Sequence, residues 1–187
     1  MSFLSHLEER AVNILILEKY NEIEREKIRF GVRLVFSDSW KVMIVYLIAF
    51  CLDVVLVTLL THLIFFTLRQ VCFGFHFQNS LVCLISSVFS LPIAVFFIKS
   101  WYLESKYIFS IALISTIALL LFAPIGTEKR PIFNGKHRRY LRKKLFIRLL
   151  IIWTITLFLS TYFQSFILYA IILIAISVLT QKLQGAK

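Results

Sequence analysis

The sequence predicts an all-α integral membrane protein. It is a polytopic helical bundle with about four full spans, one re-entrant or bent apolar segment, and N-terminal amphipathic interfacial helices. Three observations predict this. Of 187 residues, 59% are hydrophobic and 19 are Phe, against the roughly 45–50% apolar share of a soluble domain. The apolar residues gather in runs comparable to the roughly 20 residues that a span requires. Nine Lys and Arg fall between Lys129 and Arg148 with no acid among them, the pattern of a cytoplasmic loop. The length suits one domain over residues 1–187.

Residues 1–39 are charged and amphipathic, and seven of the ten acids lie before Lys41. Val12, Ile14, Leu15, Ile16, Leu17 and Ile23 mix with Glu18, Lys19, Glu22, Glu24, Arg25, Glu26 and Lys27 at helical spacing. That pattern predicts helices on the membrane surface or under the bundle. Glu8, Glu9 and Arg10 interrupt the first apolar stretch, so no cleavable signal peptide is expected.

Val42–Thr67 is a long apolar run carrying Asp53 and His62, followed by the runs Leu81–Ile98 and Tyr107–Pro124. Leu145–Thr180 suffices for two spans, with the polar patch Ser160–Ser165 as the turn between them. Five straight spans from a cytoplasmic N-terminus would put the basic loop 125–145 outside. A bend within Val42–Thr67 returns the N-terminus, loop 69–79, loop 125–145 and the C-terminus to the cytoplasm. Asp53 is costly in lipid and must face protein or water. Pro124 and Pro131 make a rigid exit from the third run.

Chemistry concentrates between Arg69 and Cys83. An imidazole at His76 and a thiol at Cys83 stand seven residues apart. A thiol needs a base to become a nucleophile at neutral pH, and His is the usual one. On one straight helix the two would lie roughly 10 Å apart along the axis, too far for proton transfer over roughly 3 Å. The turn-prone triplet Gln78-Asn79-Ser80 supplies the bend. It puts His76 on a loop and Cys83 in the first turn of the next helix, where the helix dipole favours an anion. The plain alternative is a small buried Cys and an interfacial His. Three cysteines without a paired pattern argue against a disulfide framework. No metal or cofactor is expected.

The spacing Arg69, four residues, Gly74, one residue, His76, six residues, Cys83 resembles the accessory gene regulator B family. These are membrane cysteine endopeptidases that process quorum-sensing prepeptides in Gram-positive bacteria. A second block, Phe122-Ala123-Pro124, then Thr127, Pro131 and the basic run His137–Lys144, also resembles that family. Phe73 and Phe77 stand where the family has smaller or more polar residues.

The resemblance implies a multi-pass protein of the bacterial cell membrane with its active site facing the cytoplasm. It implies a prepeptide substrate with a Cys-containing core and an acidic C-terminal tail. The tail is removed and the core closes to a cyclic thiolactone or lactone through an acyl-enzyme thioester. Cys83 would be the nucleophile and His76 the base. Gln78, Asn79 and Ser80, with nearby backbone N–H groups, are candidates for holding the oxyanion. Arg69 either holds substrate or anchors its helix end at the headgroups. Arg138, Arg139, Arg142, Lys143 and Lys144 complement an acidic tail, although a cytoplasmic loop is basic without any substrate. Candidate partners are the prepeptide, membrane lipid and a second copy of the chain, as a homodimer. Nucleic acid is not one, since neither stacking platforms nor a reading helix accompany the charge. A non-catalytic export or scaffold protein would keep the spans and the basic loop but would not need the His76–Cys83 pair. A small transporter using Asp53 and His62 is a third reading, disfavoured by the lack of an inverted repeat.

Overall fold

The computed structural model describes residue 10 and residues 12–14, 20–75, 79–101, 105–126, 132 and 134–185, and its regular elements are all helical. Most of the N-terminal amphipathic stretch, from residue 1 to residue 19, lies outside the described residues. The chain divides into two compact units, Met1–Leu47 and Ile48–Lys187.

Helix α1 (Glu22–Cys51) begins in the first unit at a capping box. The Glu24 N–H donates to Asn21 Oδ1 at 2.8 Å, and the Asn21 N–H donates to Glu24 Oε2 at 3.0 Å. One helix joins the charged region that ends at residue 39 to the apolar run that starts at Val42. With no Gly or Pro between Val32 and Cys51, one helix runs through. The Asp38–Lys41 pair, 3.3 Å apart, lies along it.

The bend expected in Val42–Thr67 is present, as one turn. The helix ends at Cys51 and α2 (Val55–Cys72) follows. No Gly or Pro makes this turn. Asp53 takes a φ of +54°, in the left-handed region that Asp tolerates better than most residues. Lys99 Nζ donates to the Asp53 carbonyl at 2.7 Å and reaches its carboxylate at 3.1 Å. Asp53 thus finds a protein partner while its side chain stays on the surface.

The next rod is α3 (Ser80–Val88), a wide π-turn (Phe89–Ile93) and α4 (Ala94–Trp101). Pro92 sits in the wide turn, where its missing N–H and its ring are accommodated. The Tyr169 hydroxyl donates to the Ser90 carbonyl there at 2.8 Å, as a polar group inside a bundle requires. Helix α5 spans Ser105–Phe122, α6 Gly135–Phe158 and α7 Thr161–Gly185.

The basic stretch expected as a loop over 125–145 is helical from Gly135 onward. Asn134 caps it, its side chain accepting from the Lys136 N–H at 2.9 Å. Leu141, Leu145, Leu149, Ile152 and Thr156 recur every three or four residues and are buried, which carries the helix through the charged turns. The expected turn between the last two spans is at Leu159–Ser160. Gln164 belongs to the first turn of α7 and donates back to the Leu159 carbonyl at 2.9 Å.

Among the described residues, four helices are long and apolar enough to cross a membrane: Glu22–Cys51, Val55–Cys72, Ser80–Lys99 and Thr161–Gly185. Tyr107–Phe122 is a shorter apolar helix. Helix α7 is the hub of the second unit, burying Phe166, Ile167, Leu168, Ala170, Ile171, Ile174, Ala175 and Val178. It packs most extensively against α5 and α2. Large apolar side chains such as Phe158, 87% exposed, face outward, as a surface facing hydrocarbon must.

Candidate active site

Helix α2 ends at Cys72, and the chain reverses in an unusual backbone. Phe73 has a φ of +65° and Gly74 of +72°. The φ at Gly74 favours a residue without a Cβ. Space demands it as well: a Cβ there would lie 2.7 Å from Ser177 Oγ on α7. Phe75 is then held on both sides of its backbone. Its N–H donates to the Ser177 carbonyl at 3.0 Å. Its carbonyl accepts from Arg69 Nη2 at 3.0 Å and from Ser177 Oγ at 3.4 Å. The Arg69 guanidinium also lies over the Phe65 ring, 5.4 Å from its centroid.

His76 and Gln78, two of the site residues read from the sequence, lie outside the described residues, as does Phe77. The chain returns at Asn79, which caps α3 by accepting from the Leu81 N–H at 2.9 Å. Ser80 is the first helical residue. Cys83 closes the first turn, its N–H donating to the Asn79 carbonyl at 3.0 Å. The thiol is half-buried, neither sealed in the core nor fully open. Its helix is capped as the sequence predicts. Of the two other cysteines, Cys72 is fully buried and Cys51 lies exposed at the far end of α1.

Among the described residues, the same end of the second unit gathers Arg142, Arg148, Lys144 and Lys182. The Ile125 N–H reaches the Cys72 carbonyl at 3.5 Å. Arg142 Nε donates to the Ala123 carbonyl at 3.3 Å and its Nη2 to the Leu121 carbonyl at 3.5 Å, serving the C-terminus of α5. Arg148 donates to the Thr67 carbonyl of α2. Lys144 stands over the Tyr140 ring, 4.5 Å from its centroid. Arg139 and Lys143 are exposed.

A cleft of about 550 Å³ opens beside them, floored by Leu121, Phe122, Pro124, Ile125 and Ile132 and rimmed by Arg138 and Lys182. Lys182 Nζ sits 3.5 Å from the centre of the Phe122 ring. Lys182 and Ser177 are site-end residues that reading the sequence missed. The available signal was their polarity at the end of an otherwise apolar helix.

The model for the family described as accessory gene regulator B matches residues 8–183. The chain belongs to that family. The accessory gene regulator protein B of Staphylococcus saprophyticus is 31% identical over 83% of this chain and 82% of its own. The protein of the same name from Staphylococcus intermedius is 26% identical over 89% of this chain and 88% of its own. That of Staphylococcus aureus strain JH9 is 26% identical over 87% and 88%. No solved structure matches the chain. Membership supports a multi-pass membrane protein with a role in the accessory gene regulator quorum-sensing system.

Proposed function

We propose that this member of the accessory gene regulator B family is a cysteine endopeptidase that trims and cyclises a quorum-sensing prepeptide. The observation that carries the reading is Cys83, half-buried at the first turn of an Asn79-capped helix, seven residues after His76. The Cys83 sulfur attacks the carbonyl at the junction of core and tail. His76 takes the thiol proton and returns it to the leaving amine, and the C–N bond breaks. The tail departs with a free amine and the core stays on Cys83 as a thioester. The substrate's own Cys then attacks that thioester, its proton passing to Cys83. One thioester replaces another at little energetic cost, and water is not consumed. The apolar, Phe-rich surround favours cyclisation over hydrolysis by excluding water. Reconstituted protein and prepeptide test this directly: release of the tail must be matched by a core lighter by one water than its linear acid.

The site faces the cytoplasm in this reading. Positive residues mark the cytoplasmic side, and Arg69, Arg142, Arg148 and Lys182 share one end of the second unit. A protein lacking Cys51, Cys72 and Cys83, with a single Cys at Asn79 or at Lys136, should be labelled only from the cytoplasmic side. Labelling at Asn79 from outside would rule out direct access by a cytoplasmic prepeptide.

The cleft rimmed by Arg138 and Lys182 suits an acidic tail with apolar residues between its carboxylates. Arg138→Gln with Lys182→Gln should raise KM more than it lowers kcat, because such a contact precedes the transition state. The loss should shrink in salt high enough to screen exposed pairs beyond roughly 3 Å. Neutralising acids on the prepeptide tail should cost less in the doubly substituted enzyme than in the parent. Fully additive losses would sink the pairing.

A further inference from the structure

We infer that Ser177 is a positioning residue: from α7 it fixes the backbone of Phe75, and with it the start of the segment that leads through His76 to Cys83. The inference rests on the proposed reaction. Several Ser and Thr hydroxyls in these helices turn back on their own helix, and Thr61 does so at 2.9 Å while also reaching the Phe166 carbonyl of α7 at 3.5 Å. Thr154, Thr156, Ser165 and Thr180 each donate to the carbonyl four residues before. Ser177 instead donates across to Phe75, and its carbonyl accepts from the Phe75 N–H. It is the one polar residue between Tyr169 and Thr180, on the most buried helix of the unit. Gly74 lies against it so closely that a methyl there would strike Ser177 Oγ. A rigid helix, a serine and a glycine without a side chain thus set where the chain leaves Phe75. The next residue is the base of the proposed reaction.

Such a fit makes a specific demand on paired substitutions. Gly74→Ala alone forces the loop away from α7, and a misplacement of about 1 Å near reacting groups costs roughly 10²-fold in rate. Ser177→Ala alone removes one hydrogen bond and should lower kcat roughly five- to tenfold with KM little changed. Gly74→Ala with Ser177→Ala removes the oxygen that the new methyl strikes, leaving Ser177 Cβ at 3.4 Å as the nearest atom of that residue. The double variant should therefore recover part of the activity lost in Gly74→Ala, while the strain at a φ of +72° remains. Activities that simply multiply would overturn the inference.

Ser177→Ala supplies a second measurement that does not depend on Gly74→Ala folding. In a chain lacking Cys51 and Cys72, iodoacetamide should alkylate Cys83 more slowly at neutral pH when Ser177 is Ala. Parental kcat and parental alkylation would overturn the role. In a His76→Ala background, Ser177→Ala should cost nothing further. An equal loss there would overturn positioning while leaving the base in place. Full activity of His76→Ala itself would instead refute the reaction on which the inference rests.

Discussion

Cys83→Ala and Cys83→Ser should abolish tail release and cyclisation while the protein still accumulates in the membrane. Neither side chain can supply a thiolate at neutral pH, and a thioester to Cys83 cannot form without the sulfur. The structure gives little reason for a folding defect. Cys83 is half-buried and is not among the side chains that make up the apolar core. The other thiols serve as controls. Cys51→Ala changes an exposed residue. Cys72→Ala removes a small buried side chain from the core, which should cost stability before it costs chemistry. Both should retain most activity. Tail release by the Cys83→Ala protein would refute the mechanism.

The second large effect is expected at His76. His76→Ala should lower kcat roughly 10²–10⁴-fold, the usual worth of a general base. The base must be neutral to accept the thiol proton. The parent's activity should therefore rise with pH as the imidazole gives up its proton. The variant should lose that rise along with the rate. An unchanged rate in His76→Gln would point to another base, with His62 next to be tested.

The motif was legible in the sequence because its parts are local. Asn79 and Ser80 are strong start signals for a helix, and α3 begins there. The break at Leu159–Ser160 follows from polar residues interrupting an apolar run. Gly74 was legible as a motif position, but its reason was not. Its partner Ser177 lies 102 residues beyond Phe75, and no local pattern reports such a contact. The same holds for Lys182 over Phe122.

A bend within Val42–Thr67 was expected from the charge distribution, but its place at Asp53 was not legible, since neither Gly nor Pro marks it. Its left-handed backbone is held by Lys99, 46 residues away. The basic stretch misled in the opposite direction. Nine charges suggested a loop, while buried Leu141 and Leu145 at helical spacing carried α6 through it. Pro92 is absorbed by a π-turn whose Ser90 carbonyl Tyr169 satisfies, so it breaks no span.

The central claim is that Cys83 carries the peptide core as a thioester. A prepeptide whose core Cys is replaced by Ala can be cut but cannot cyclise. With it, the intact mass of the reconstituted protein should rise by the mass of the leader and core joined through one acyl bond. The adduct should map to Cys83, be cleared by hydroxylamine, and be absent from Cys83→Ala. Release of the tail at the normal rate with no adduct on Cys83 at any time would contradict the account.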